Sequence, residues 1–140
     1  MTACALDASF TFQWLFQDEA SPEGYAALAV VGREGAVVPA LWFIEVTNVL
    51  GIAERRGRIQ PDGLRDALRL LRSVPLAVDD PPSLAWSEPI LQLMRAHRLT
   101  AYDATYLELA SRRGLPLATK DRDLLAAALA VGVPLFAPSP

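Results

Sequence analysis

Residues 100–110 read TAYDATYLELA, and the placement of one carboxylate in them, Asp103, decides how the chain is understood. Its neighbours are small or apolar, and the only other charge in the stretch is Glu108. Thr100 and Asp103 fit the capping pattern in which a threonine accepts from the backbone three residues on and an acid reaches back. That reading makes Asp103 a helix-starting device with no chemistry of its own. The stretches on either side bear on that choice. LTAYDATYLELASRRG is a helix stopped by Gly114, LPLAT is a short apolar strand, and KDRDLLAAALAVG is a helix closed by Gly132.

The same alternation runs backwards to the first residues. ACALDA (3–8) is a buried strand ending at Asp7, and AVVP, PLAV and VPLF are further short strands. Helices are expected over SPEGYAALAVVGREG (cap Ser21, Pro22 at N1, stop Gly35), ALWFIEVTNVLGIAERRGR, PDGLRDALRLLRSV and LAWSEPILQLMRAHRL. Pro89 must sit in the first turn of the last of these or kink it. DDPPS is read as a turn and APSP as a tail. SFTFQWLFQ fits either period, but Ser9 can cap it, so it is read as a helix. Its two i,i+4 aromatic rows, Phe10–Trp14 and Phe12–Phe16, lie about 160° apart on a helix. One sheet cannot bury both, so the second row is expected to face a partner or a neighbouring helix. Short apolar strands separated by helices give an α/β fold with a central parallel sheet of four to five strands flanked by helices.

Bulk properties restrict the function classes. The chain has 140 residues, 52% hydrophobic and 21% charged, which suits one domain over 1–140. No apolar run is long enough to span a bilayer and the N-terminus has no basic leader, so a cytoplasmic protein without a membrane partner is expected. The single cysteine, Cys4, excludes an internal disulfide and a multi-cysteine zinc site, and it reads as a small buried hydrophobe. A net charge of −3 argues against a general nucleic-acid binder unless acids are gathered around a cation. His97, the only histidine, falls near a helix C-terminus, and no phosphate-cradling glycine motif is present.

Four acids stand out together. In parallel sheets ligands bind beyond the carboxyl ends of the strands. Asp7 closes the first strand, and Asp121 and Asp123 follow the fourth. Glu45 and Asp103 interrupt the apolar stripes of helices that should cover the sheet. Each has a plain alternative: an Asx turn for Asp7, a surface position for Glu45, and caps for Asp103 and for Asp121 or Asp123. Two carboxylates about 5 Å apart repel by roughly 3 kcal/mol at an effective dielectric near 20. Four together would raise their own pKa values or call for a cation, and all-oxygen ligands favour Mg²⁺ or Mn²⁺. Lys120 and Arg122 flank Asp121 and could meet phosphates or remain solvated.

LDAS at 6–9, E-x-x-N-x-L from Glu45 to Leu50, LTAYDATYLELA at 99–110 and LATKDRDL at 117–124 together resemble the PIN domain, a nuclease fold. Within it the chain is most similar to the toxin ribonucleases of VapBC toxin–antitoxin pairs. The resemblance covers nearly the whole chain in order. It implies a metal-dependent endoribonuclease with Asp7, Glu45, Asp103 and Asp121 as the catalytic, metal-holding cluster. It also implies Asp123 as an accessory acid, Thr119, Ser9 and Asn48 as polar residues beside the site, and Mg²⁺ or Mn²⁺ as cofactor. RNA would be the substrate and a VapB-like antitoxin the partner, with a homodimer expected. Cleavage by metal-activated water would leave 5′-phosphate and 3′-hydroxyl ends. Two other classes remain open. One is a receiver-like phosphotransfer domain that uses Asp7 with Asp79-Asp80. The other is a non-catalytic PIN-like module that binds RNA or a partner.

Overall fold

The computed structural model describes residues 2–80 and 83–138. Four parallel strands, β1 (Cys4–Leu6), β2 (Ala36–Pro39), β3 (Leu76–Asp79) and β4 (Leu117–Ala118), lie in the order β3-β2-β1-β4. Among the described residues seven α-helices connect and cover them: α1 (Ala8–Thr11), α2 (Pro22–Glu34), α3 (Leu41–Arg55), α4 (Pro61–Ser73), α5 (Ser87–His97), α6 (Ala101–Arg113) and α7 (Arg122–Val131). The chain moves one way from β1 to β2 and β3, then returns to place β4 on β1's other side. The reversal of strand order therefore lies between β1 and β4, where a parallel sheet opens a crevice at its carboxyl edge.

Sequence signals explain most boundaries. Ser21 accepts from the Gly24 N–H at 3.0 Å and Pro22 occupies the first turn of α2. Gly35 ends that helix at φ +80, and a Cβ there would stand 2.9 Å from the Pro75 carbonyl oxygen, so only glycine lets β2 and β3 start side by side. Thr100 accepts from the Asp103 N–H at 3.2 Å, the first half of the capping box. Gly114 and Gly132 close α6 and α7 in the left-handed conformation. Pro89 falls in the first turn of α5, so it does not interrupt that helix. The core is built from the fully buried β1, from Val37 and Val38, and from Ala104, Tyr106, Leu107, Leu109 and Ala110 of α6. Cys4 is buried, as expected, and desolvation pushes its thiol up to about 12.

Three expectations are corrected. SFTFQWLFQ is not one helix: α1 spans only Ala8–Thr11, a 3-10 turn follows at Phe12–Trp14, and Phe16 is extended. Ser9 is not its cap, because its hydroxyl donates to the Asp7 carboxylate and accepts from the Lys120 N–H. Unwinding carries the Phe10–Trp14 row and Phe16 inside and leaves Phe12 half-buried. Phe10, Trp14 and Phe16 are buried, the Trp14 indole donates to the Gly24 carbonyl, and the Arg58 guanidinium lies 3.9 Å over the Phe16 ring. The fifth strand, VPLF, shrinks to one bridge between Leu117 and Leu135, since Pro134 has no N–H to give and β4 is two residues long. LAWSEPILQLMRAHRL opens with a separate 3-10 turn, Leu84–Trp86, before α5 begins. The turn expected over DDPPS falls partly, and the end of the APSP tail wholly, outside the described residues. No described helix is long and apolar enough to cross a membrane.

Candidate metal centre

Asp7 leaves β1 and is the residue from which α1 starts, so its carboxyl is fixed at the sheet's carboxyl edge, 3% exposed. Its Oδ2 accepts from the Ser9 hydroxyl at 2.5 Å and from the Thr119 hydroxyl at 2.6 Å. Those hydroxyls in turn accept from the chain beyond β4: Lys120 N–H to Ser9 at 2.9 Å and Asp121 N–H to Thr119 at 3.1 Å. The ends of β1 and β4 are thus joined through side chains as well as through the sheet. Asp121 caps α7, its Oδ1 accepting from the Leu124 N–H at 2.9 Å. The capping explanation for Asp121 is therefore correct, and it leaves the second carboxylate oxygen without a hydrogen bond among the described residues.

Glu45 reaches the same edge from α3. That helix is anchored one turn earlier, where the Trp42 indole donates to the Thr11 hydroxyl at 3.2 Å and Thr11 donates to the Asp7 carbonyl. Glu45 Oε1 accepts from the Tyr106 phenol at 2.6 Å. Asp103 lies in the first turn of α6, half-buried.

Electrostatics binds the four into one group. Burial raises the pKa of Asp7, and the charge of Asp121 raises it further against the two hydroxyl donors. Burial likewise raises Glu45, with Asp7 and Asp103 adding to it. Asp103 is pushed up to about 6 by desolvation first, then by Asp121, Asp7 and Asp123. Among the described residues no lysine or arginine forms an ion pair with any of the four. As they stand, no three His, Cys, Asp or Glu side chains among the described residues are arranged to hold a metal ion. The donor set nonetheless fits a hard divalent cation. It is all oxygen, it is crowded with like charge, and it has no positive charge of its own.

The other expected residues sit as follows. Ser9 and Thr119 both touch Asp7, Asp123 is exposed at the start of α7 within the field of Asp103, and Asn48 is exposed on α3 one turn after Glu45. Lys120 and Arg122 are exposed beside Asp121, and His97 ends α5. Asp79 is not available as a phosphoacceptor. Arg112 and Arg113 grip both its oxygens at 2.6 to 3.1 Å and hold its carboxyl below the usual carboxylate range. Sequence reasoning missed Tyr106. Its signal was a tyrosine three residues after Asp103, on the same face of a helix otherwise lined with Ala and Leu.

The PIN domain family matches residues 4–129. Exonuclease VapC9 of Pyrobaculum aerophilum is 33% identical over 94 residues, 67% of this chain and 68% of that protein. The crystal structure of PAE2754 from Pyrobaculum aerophilum superposes with a TM-score of 0.68 at 28% identity, covering 90% of this chain and 79% of that one.

Proposed function

The chain belongs to the PIN domain family, and from that premise we propose that it is a divalent-metal-dependent ribonuclease, the VapC-like toxin of a toxin–antitoxin pair. One observation carries the reading: Asp7, Glu45, Asp103 and Asp121 share an electrostatic field, and no lysine or arginine among the described residues forms an ion pair with them. Asp7, Glu45, Asp103 and Asp121 would hold Mg²⁺ or Mn²⁺, with Asp123 as an accessory acid. When bound, the cation supplies Lewis acidity toward a phosphoryl oxygen and lowers the pKa of water.

The chain's own residues do the rest. Ser9 and Thr119 donate to Asp7 and keep one of its oxygens oriented. Asp121 keeps its position because the same carboxylate starts α7. Exposed Lys120 and Arg122 flank the acids and place an RNA backbone, since phosphate contacts position without specifying sequence. Asn48, exposed one turn past Glu45, is proposed to orient water or RNA there. The nucleophile is water and no 2′-hydroxyl is used, so the products carry 5′-phosphate and 3′-hydroxyl ends.

The proposed setting is a single cytoplasmic domain that forms a homodimer and is blocked by a small VapB-like antitoxin. The receiver-like alternative loses support because Asp79 is neutralised by two arginines. The test is a defined RNA incubated with Mg²⁺, Mn²⁺ or EDTA, in linear and circular form. Metal-dependent cutting of the circle supports an endoribonuclease. Shortening of the linear form alone makes the enzyme an exonuclease, as the relative is named. No cutting under any metal leaves the non-catalytic reading.

A further inference from the structure

We infer that Tyr106 is a positioning residue for the acid cluster: its phenol fixes Glu45 so that one carboxylate oxygen is held by the protein and the other is left for the cation. This rests on the metal-site reading above. The Tyr106 side chain is fully buried, so its hydroxyl must find an acceptor inside the protein. It finds Glu45 Oε1 at 2.6 Å, the short contact expected when a hydroxyl donates to an ionised carboxylate. Glu45 is otherwise a flexible side chain on a half-buried part of α3, with no other hydrogen bond among the described residues. The contact removes that freedom and leaves Oε2 as Glu45's open ligand.

The geometry gives α6 two tasks. Asp103 and Tyr106 are three residues apart, on one face of the helix, and the helix is among the most buried in the molecule. The turn that presents Asp103 also carries the clamp on Glu45. The register of α6 therefore sets how Asp103 and Glu45 stand to each other, although they belong to different helices. The charge of Asp7 also acts on the Tyr106 phenol, after that of Glu45.

Tyr106→Phe keeps the ring and removes only the donor. Titration calorimetry with Mn²⁺ alone should show a dissociation constant raised about tenfold or more, the usual cost of losing such a supporting hydrogen bond. In an RNA cleavage assay the loss should lie in the apparent KM for Mn²⁺ and much less in kcat. Glu45→Asp, which withdraws the carboxylate from the phenol, should weaken Mn²⁺ by a similar factor. The double variant should then be no weaker than Glu45→Asp, because Tyr106 acts through Glu45. Unchanged Mn²⁺ affinity in Tyr106→Phe, or additive losses in the double variant, would overturn the inference. If the wild-type protein itself binds no Mn²⁺, the metal-site reading falls, and this one with it. If the wild type binds and Tyr106→Phe binds equally, only the positioning role falls.

Discussion

Two aspartates end strands of the same parallel sheet, and they live in opposite electrostatic worlds. Asp79, at the end of β3, is 9% exposed and gripped by Arg112 and Arg113 from the last turn of α6. Asp7, just past β1, is 3% exposed and receives two hydroxyls and, among the described residues, no cation, while Asp121 crowds it further. Hydrogen bonding to Arg112 leads the lowering of Asp79's pKa, and burial leads the raising of Asp7's. The same helix serves both sites, with Asp103 in its first turn and the arginines in its last. A buried carboxylate whose counter-charge is written into the chain is structural. One whose counter-charge is missing is, on the proposed reading, built for a cation that arrives from outside.

The sharpest way to break this contrast is to neutralise one member of each region. Asp7→Asn or Asp103→Asn should cut ribonuclease activity on the order of 10²-fold or more, because several kcal/mol of phosphoryl stabilisation go with the cation. The metal-free Tm should hold or rise, since a crowded charge has been removed. Near-normal cleavage by either variant would place the metal elsewhere. Asp79→Ala should do the reverse. Urea unfolding should show a loss of about 1–2 kcal/mol, limited because both guanidiniums remain partly in water, while cleavage per folded molecule is unchanged.

A pH series sharpens the same comparison. Asp103 has a raised folded pKa, so its contribution to metal-free stability is full below its ordinary 3.8 and lost as pH rises through about 6. Asp79 has a lowered one, so its contribution is present above 3.8 and lost as pH falls through its depressed value. In EDTA, Asp103→Asn should flatten the decline of Tm between pH 4.5 and 7.5, and Asp79→Asn should leave that stretch alone. Added Mn²⁺ should raise the wild-type Tm more at pH 7.5 than at pH 5, where protons compete for the acids. An equal rise at both values would remove Asp103 from the metal's ligands. The smallest effect sets the scale. Ser21→Ala, a helix cap away from both regions, should cost about 1 kcal/mol by urea unfolding, at every pH in the series and with no change in cleavage.

Much of this was legible from residues alone, because the signals were local. Ser21-Pro22, Thr100, Gly35, Gly114 and Gly132 mark helix ends through hydrogen bonds and φ angles made within a few residues of themselves. The four acids stood out because each breaks an apolar period or lies at or just past the end of an apolar strand, and their role is the proposal made above. What escaped depended on distant partners. Ser9 looked like a helix cap until Lys120, 111 positions away, claimed its oxygen. Phe12 and Phe16 were expected to face a partner or a neighbouring helix, because nothing local says that the helix unwinds after Thr11. Tyr106 drew no reading because its acceptor lies 61 residues back, on another helix. Asp79 entered the receiver-like alternative for the same reason, with its arginines 33 and 34 residues ahead.

The hydrogen bond from Thr119 to Asp7 spans 112 residues, and it has a consequence for the order in which the molecule comes into being. Strands β1, β2 and β3 can pair in sequence as the chain emerges, at roughly 5–20 residues per second during synthesis. Strand β4 cannot join until everything between has been made, and pairings of such long range form slowly. Until then β1 lacks its second neighbour, Asp7 lacks a donor, and Asp121 has no place on the sheet's edge. A growing chain therefore carries no complete acid cluster before residue 121 has emerged. The four acids come together only when the segment around residue 121 is made and docked, so on the proposed reading assembly itself would time the activity.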